Sequence, residues 1–376
     1  MMMSVMLALS LAVEPGGLTV DGALEKIRAA RAAGDGAVAT VSVKGVNELR
    51  KSVVFTPEDH DIRFVGEPGA TIVQTDPKAD AFYCLATYAS RFENLTFRGG
   101  FSQIQVATHN TEAANVRVKG CRFVGANGPA VECTSWRVPG PRRTPDGKRI
   151  KGKGVGKWLK NATTGKYERD PRWLQPLAGS NNSTFLMIED STFEDCRTAT
   201  DITPDGAVIR NCRVVSRASA DGGALRISNS CHAYGLDITV RRSAACTNQC
   251  AIECINRRLC LWLEDSVIRT DDGSGCPALR YAGMERGHMI ATLTIFENVE
   301  VETDGKTGVV HALNGRPPNV AAFIRVRNRG KTSTALTDDG TVTEQTLQMN
   351  SLSAWNSWKE AHSVVLGACE GLVAPT

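Results

Sequence analysis

A short strand pattern that recurs at nearly constant spacing constrains the fold of this 376-residue chain more than any other feature. One copy is CAIECI at 250–255, and six further segments are similar to it. The central polar residues of the seven copies are Gln105, Glu132, Asp201, Arg226, Glu253, Arg280 and His311. They follow one another at 25 to 31 residues, with a single step of 69. Such a period predicts a β-solenoid, in which each repeat adds one coil and covers the apolar face of its neighbour.

The alternation of residues within each copy predicts which side chains face the interior. Within CAIECI, we expect Cys250, Ile252 and Cys254 to point inward and Glu253 to point outward. Adjacent parallel strands lie about 4.8 Å apart, so the outward residues of successive coils should form one line of ionisable groups. Two interpretations of this line remain open. It is either a catalytic groove or a solvent-exposed sheet face on which acids and bases alternate to avoid like-charge repulsion.

The four cysteines in CTNQCAIECINRRLC, at 246–260, are typical of a metal or redox site if spacing alone is considered. The strand register instead makes Cys250 and Cys254 small apolar wall residues of the solenoid. Cys246 and Cys260 flank the strand and remain candidates for a disulfide. A site with four thiolate ligands is disfavoured, because thiols that alternate along a strand do not converge on one ion.

The chain ends carry different patterns from the repeats. Residues 1–17 include an apolar run that is too short to span a bilayer and is typical of a signal peptide, which predicts a secreted or periplasmic protein. Residues 18–38 contain one amphipathic helix, with Thr19 or Asp21 as its N-cap, which we expect to cap the first coil. The solenoid is predicted for 39–328 and a C-terminal cap for 329–376.

A basic insertion interrupts the solenoid at 134–182, directly after the strand that carries Glu132. It contains twelve Lys and Arg against three Asp and Glu, whereas the whole chain has a net charge of only +4. The segment GKWLKNATTGKYE within it predicts a β-hairpin. Cations interleaved with aromatic rings suit a polyanionic sugar chain, and the candidate contacts are Arg142, Arg143, Trp158, Tyr167, Trp173 and, outside the insertion, Tyr281. A solvated loop without a ligand is the alternative.

The repeats, the leading helix and the segment LRKSVVFTPEDHDIRFVGEPGATIV at 49–73 together resemble the right-handed parallel β-helix, or pectin lyase-like, superfamily. The resemblance covers about 39–328. It implies an all-β fold, a single-stranded right-handed parallel β-helix with an N-terminal capping helix and one long basic loop insertion. That superfamily includes lyases, hydrolases and adhesion scaffolds, so the resemblance predicts the fold more sharply than the chemistry.

The first expected function is a polysaccharide lyase that cleaves an acidic, uronate-containing polysaccharide by β-elimination. This reaction needs a group that neutralises the substrate carboxylate, a base and an acid. By similarity to lyases of this fold, Glu132, Asp201 and Glu253 are candidate calcium ligands. Arg226, Glu253, Arg280 and His311 are the candidate catalytic residues, with the arginines as partners of the substrate carboxylate and His311 for proton transfer.

Two other functions remain open. A glycoside hydrolase needs two carboxyl groups, and Asp201 and Glu253, two coils apart, would be separated by roughly 9.6 Å along the sheet, near the inverting range. The Asn-x-Asp, Gly-His-Gly and Arg-x-Lys motifs of such hydrolases are missing from the register, however. The third option is a non-catalytic solenoid that binds polysaccharide. We expect an acidic polysaccharide as partner, no nucleic acid, no membrane and a monomer.

Overall fold

The computed structural model of the protein describes most of the solenoid. The described residues are 9–34, 38–56, 58–85, 87, 89–108, 114–135, 158–160, 167–169, 184–202, 207–218, 222–228, 231–241, 249–254, 258–270, 278–281, 291–302, 310–312, 320–324 and 327–328. Within them, nearly all strands belong to three sheets that are parallel throughout. The predicted C-terminal cap at 329–376 lies outside the described residues.

The three sheets are named A, B and C here. Sheet A consists of β1 (Leu9–Val13), β2 (Ala39–Val43), β5 (Ile62–Gly66), β8 (Ser90–Glu93), β11 (Ala114–Lys119), β16 (Thr184–Glu189), β19 (Ala207–Arg210), β22 (Cys231–Tyr234), β25 (Arg258–Glu264), β28 (Ala291–Glu297) and β31 (Val320–Ile324). Sheet B consists of β3 (Val46–Leu49), β6 (Thr71–Gln74), β9 (Thr96–Gly99), β12 (Arg122–Val124), β17 (Thr192–Cys196), β20 (Arg213–Ser216), β23 (Asp237–Val240), β26 (Val267–Thr270), β29 (Glu300–Glu302) and β32 (Arg327–Asn328). Sheet C consists of β4 (Val53–Phe55), β7 (Phe82–Leu85), β10 (Ile104–Thr108), β13 (Pro129–Ser135), β18 (Thr198–Ile202), β21 (Gly222–Ile227), β24 (Gln249–Cys254), β27 (Leu279–Tyr281) and β30 (Val310–Ala312).

From β2 onward the chain visits the sheets in the order A, B, C, so each complete coil contributes one strand to each sheet, whereas β1 and β2 both lie in sheet A. Every strand pairs in parallel with the corresponding strand of the next coil, as β21 does with β24 and β24 with β27. The predicted all-β parallel solenoid is therefore confirmed. Between β13 and β16 the basic insertion adds an antiparallel pair, β14 (Trp158–Lys160) and β15 (Tyr167–Arg169), which confirms the predicted hairpin.

The interior is filled by apolar side chains that stack from coil to coil. Phe97, Phe123 and Phe193 lie in register on β9, β12 and β17, and their ring centroids are 5.1 and 4.8 Å apart. Each of these rings is almost completely buried, and burying one such side chain contributes roughly 1.5–3 kcal/mol. The parallel register thus repeats one favourable contact along the axis of the solenoid.

The corner between sheets A and B explains a recurring Asn, Asp or Gly in the sequence. Asn94, Asp190, Asn211, Asp265 and Asn298 occupy this corner with φ between 47° and 55°, and Gly120 and Gly235 occupy it in two intervening coils. This left-handed conformation is one that Asn, Asp and Gly adopt most readily. The side chains also bond between coils, because Asn211 Nδ2 donates to Asp190 Oδ1 over 3.2 Å. The corner residue therefore fixes both the turn and the stacking.

Helix α1 (Val20–Ala32) lies within the predicted capping region and packs next to β1. Thr19 is its N-cap, and the Thr19 hydroxyl accepts a hydrogen bond from the Gly22 amide over 3.1 Å. The buried face of the helix, Val20, Ala23, Leu24 and Ile27, joins the hydrophobic core. In the described part of the chain, this helix is too short and too polar to cross a membrane.

The apolar run near the N-terminus supplies a strand to the solenoid. β1 pairs in parallel with β2, and Val13 is completely buried in the core. Leu9, Leu11 and Val13 alternate with Ser10 and Ala12, which is typical of a strand with one buried face. The same apolar run is also typical of a leader sequence. Export of the protein stays a prediction.

The described cysteine side chains are buried and form no disulfide with one another. Of these eight, seven belong to the hydrophobic core, including Cys254 as the strand register predicts, whereas Cys250 is buried but does not belong to that core cluster. Burial raises the pKa of Cys231 to about 12, so this thiol stays protonated and behaves as a small apolar group. Cys246 lies outside the described residues, and only the backbone of Cys260 is described, in β25.

Candidate functional site

The outward polar residues of sheet C form one continuous row. Gln105 pairs in register with Glu132, Glu132 with Asp201, and Asp201 with Arg226. The row continues through Glu253 and Arg280 to His311. All seven positions aligned from the sequence are thus brought onto adjacent strands, although only the backbone of His311 is described. We call the segment Asp201, Arg226, Glu253 and Arg280 the charged row.

Each charge in the charged row contacts a charge of opposite sign on the neighbouring strand. Arg226 Nη1 donates to Asp201 Oδ2 over 3.0 Å, and Arg226 Nε lies 2.9 Å from Glu253 Oε2. Arg280 Nη2 donates to Glu253 Oε1 over 2.7 Å. Glu253 therefore binds both arginines, and Arg226 bridges two carboxylates. The contacts of Arg226 Nη1 and Arg280 Nη2 are charge-assisted hydrogen bonds, whereas Arg226 Nε and Glu253 Oε2 form an ion pair without hydrogen-bond geometry.

The charged row is more buried than the outward faces of the first coils. On β2 and β3, buried residues alternate with more exposed ones, whereas every residue of β18 and β24 is buried. The side chains of Asp201, Glu253 and Arg280 are 9%, 10% and 6% exposed, and only Arg226 reaches 30%. The row shows the alternation of acid and base that is expected of a solvent-exposed face. Three of its four side chains are buried, however, so the prediction of solvent exposure is wrong.

The polar row extends beyond the charged row toward the N-terminus. Glu132 is 1% exposed and accepts a hydrogen bond from the Ser102 hydroxyl over 3.2 Å. Tyr83, 2% exposed, pairs in register with Gln105 and adds one more polar position. The sequence alignment missed Tyr83 because it lies only 22 residues before Gln105, outside the period of the other copies.

Two glycines bring the neighbouring backbone close to Glu253. A Cβ atom built on Gly223 would lie 2.6 Å from Glu253 Cβ, so the absence of a side chain at this position is required for the packing. Gly222 has a φ of +101°, which non-glycine residues rarely adopt. The carboxylate of Glu253 is therefore positioned both by its two arginines and by the shape of β21.

The predicted calcium ligands Glu132, Asp201 and Glu253 do not fit a calcium ion in this arrangement. Calcium needs several converging oxygen atoms, but Arg226 lies in register between Asp201 and Glu253 and binds both. Across the described residues, no group of three or more His, Cys, Asp and Glu side chains is arranged to hold a metal. The positive charge between these carboxylates is supplied by a guanidinium group.

The predicted sugar contacts of the insertion are only partly described. Arg142, Arg143 and Trp173 lie outside the described residues. Trp158 pairs with Arg169 and Lys160 with Tyr167 in the hairpin, so the backbone places aromatic and basic residues opposite one another. Tyr281 directly follows Arg280 on β27 and pairs with Cys254 and Ala312.

Comparisons with family models, curated proteins and solved structures find no match to this chain. The assignment as a parallel solenoid therefore rests on the strand pairing and register of the chain itself.

Proposed function

We propose that the protein is an extracytoplasmic, pectin lyase-like polysaccharide lyase that cleaves an acidic, uronate-containing polysaccharide by β-elimination. The observation that carries this proposal is the environment of Arg226. Its guanidinium is the most exposed group of the charged row, and its Nε and Nη1 atoms contact two carboxylates. The Nη2 atom donates no hydrogen bond to a described residue, and we propose that it binds a carboxylate of the substrate.

In the proposed reaction, Arg226 binds the carboxylate of a uronate residue and neutralises its charge. This interaction stabilises the negative charge that develops when the C5 proton is removed. The C5–H electron pair then forms the C4–C5 double bond, the C4–O bond breaks, and the leaving oxygen takes a proton. Asp201 and Glu253 are positioning residues that fix the orientation of the guanidinium.

Arg280 and His311 extend the proposed site by two coils. Arg280 is anchored to Glu253 and supplies a second positive charge in the same row. His311 occupies the next register position, and we propose that it accepts the C5 proton, with Tyr281 on the preceding strand as the second group for proton transfer. The basic insertion begins after Glu132 in the same polar row, and we propose that its arginines and aromatic residues hold the polyanion.

A non-catalytic solenoid that binds acidic polysaccharide is the second candidate. It is favoured by the low exposure of Asp201, Glu253 and Arg280, whose charges are compensated by one another. A row of this kind stabilises coil stacking without any reaction. The inverting hydrolase is less compatible with the geometry, because the Arg226 guanidinium lies between Asp201 and Glu253, where the attacking water would stand.

The test is a set of activity measurements on polygalacturonate and alginate, with and without chelator. A lyase produces a rising absorbance in the unsaturated-uronate band, and Arg226→Ala should lower kcat/KM by about 100-fold or more. Arg226→Lys should recover only part of this loss, because an ammonium group cannot bridge two carboxylates as a guanidinium does. Arg269→Ala, which removes an exposed ion pair on sheet B, is the matched control and should retain full activity.

Each other outcome has a defined meaning. New reducing ends without the absorbance band would reject elimination in favour of hydrolysis. Binding of the polyanion that weakens with salt and after removal of residues 137–172, without any cleavage, would establish the binding solenoid. Full inhibition by chelator, with no effect of the Arg226 variants, would show that a metal outside the charged row neutralises the substrate.

A further inference from the structure

The outward face of sheet A changes its chemical character halfway along the solenoid. One register row begins with Thr40, Arg63, Arg91 and Arg117. From β16 onward the same row continues with Met187, Val208, His232, Trp262 and Ile295. Four of these five later residues are at most 6% exposed although they point away from the solenoid core, and Trp262 is half-buried. This face therefore carries an apolar and aromatic surface that the polar row of sheet C lacks.

Three rings form a continuous aromatic cluster on this face. The His232 ring stacks on the Trp262 ring of the neighbouring strand, with centroids 5.0 Å apart and an interplanar angle of 28°. Tyr234, two residues further along β22, lies 5.2 Å from His232 and packs against Met187 and Val208. Because Trp262 and Tyr234 are only half-buried, parts of both rings are open to solvent. We call His232, Tyr234 and Trp262 the aromatic cluster.

The polar atoms of the aromatic cluster are only partly satisfied. His232 Nε2 lies 3.2 Å from Glu264 Oε2, and Arg210 donates to the Tyr234 hydroxyl over 3.0 Å. His232 Nδ1 and Trp262 Nε1 are buried and have no hydrogen-bond partner among the described residues. If Nε2 donates its proton to the carboxylate, Nδ1 is an acceptor, while the indole N–H is a donor. Unsatisfied buried polar groups are costly, so this pair of atoms is suited to a ligand that offers both a donor and an acceptor.

We propose that the aromatic cluster and Glu264 form a second carbohydrate-binding site, specific for an uncharged sugar residue. The ring faces suit the apolar C–H face of a pyranose, and its hydroxyl or acetamido groups both donate and accept hydrogen bonds. Glu264 and Glu297 lie in register on adjacent strands of this face, which disfavours a uronate or sulfated sugar. The sugar class thus differs from that proposed for the charged row.

The position of the site makes it separable from the charged row. Arg226 lies on β21 and His232 on β22, while Glu253 lies on β24 and Trp262 on β25. The two groups therefore occupy different sheets of the same coils. The proposal goes beyond the lyase function and does not depend on it.

The test measures binding of hexasaccharides of glucose, N-acetylglucosamine and galacturonate by calorimetry. At least one neutral hexasaccharide should bind to the wild-type protein, and Trp262→Ala should weaken this binding by about tenfold, as expected for the loss of one stacking ring. Trp262→Phe, which keeps a ring but removes the N–H group, should give a smaller loss. Arg91→Ala, on the same face but outside the cluster, and Arg226→Ala should bind the neutral sugars as the wild type does.

Three results would overturn the proposal. The first is that neither neutral hexasaccharide binds to the wild-type protein. The second is that Trp262→Ala and Trp262→Phe both bind a neutral sugar with wild-type affinity. The third is that only the galacturonate hexasaccharide binds and that its affinity depends on Trp262, because the site would then recognise an acidic sugar. Circular dichroism of each variant verifies that the solenoid is intact, and if Trp262→Ala does not fold, Trp262→Phe decides the question.

Discussion

Removal of the Glu253 carboxylate is the sharpest test of the charged row. Glu253 contacts Arg226 and Arg280 over 2.9 and 2.7 Å, so Glu253→Ala breaks two of the three ionic contacts in the row at once. Arg280, whose side chain is 6% exposed, then loses the carboxylate that compensates its charge. The site changes from two acids and two bases to one acid and two bases in a place with little access to water.

The magnitude follows from the burial of the partners. Removing one partner of a buried ion pair costs about 3–5 kcal/mol, and we expect a loss of this size for Glu253→Ala. Asp201→Ala removes one contact of 3.0 Å from Arg226, which is 30% exposed and can be hydrated, so we expect about 1–3 kcal/mol. Arg269→Ala breaks a pair of similar length, 2.6 Å to Asp237, in which both side chains are more than 40% exposed. An exposed pair contributes about 1 kcal/mol or less.

The assay is equilibrium unfolding in urea, with the slope of the transition compared between variants. An unchanged slope permits the shift in midpoint to be converted into a free energy, whereas a changed slope indicates that the repeats no longer unfold together. The expected order of destabilisation is Glu253→Ala, then Asp201→Ala, then Arg269→Ala. Equal, small losses for Glu253→Ala and Arg269→Ala would refute the reasoning, because burial of the row would then have no energetic consequence.

Two further predictions concern the wall and the corner of the solenoid. Burial raises the pKa of Cys121 to about 12 and of Cys196 to about 11, above the ordinary thiol value of 9.0. Both thiols should therefore resist alkylation at pH 8 in the folded protein, as measured by mass spectrometry of peptides, and labelling without denaturant would contradict this. Because their folded pKa values are raised, their contribution to stability is complete below about pH 9 and is lost progressively as the pH rises from about 9 to the folded values of about 11 and 12, so the urea midpoint should fall over that interval. At the corner, Asn211→Ala places alanine at a φ of 52° and removes the bond to Asp190, which should cost about 1–2 kcal/mol, whereas Asn211→Gly should cost less; equal losses would mean that backbone conformation is unimportant there.

The sequence predicts the solenoid and the register of sheet C well because both depend on local, repeated constraints. A residue in the left-handed conformation is needed once per coil at the corner between sheets A and B, so Asn, Asp or Gly recurs there. The alternation of side chains then determines the faces, and a shift of one residue would move Glu253 into the apolar interior. The same constraint places Cys254 in the hydrophobic core.

The burial of the charged row could not be predicted in this way. Alternation shows that Glu253 points away from the core, but it does not show whether other parts of the molecule cover that face. The poor fit of Glu132, Asp201 and Glu253 to a calcium ion has a related cause, because a count of outward oxygen atoms ignores the Arg226 side chain between Asp201 and Glu253. Geometry between side chains, rather than their number, decides whether a metal fits.

The aromatic cluster on sheet A escaped the sequence analysis because its spacing is irregular. Met187 and Val208 are 21 residues apart, whereas His232 and Trp262 are 30 apart, mainly because the connections from sheet B to sheet C differ in length. An outward Trp262 within the segment LCLWLED also looks like part of an ordinary buried strand. A parallel solenoid thus aligns residues across coils even where the sequence period is lost. Candidate sites in such a fold are therefore best sought along the register rows of all three sheets.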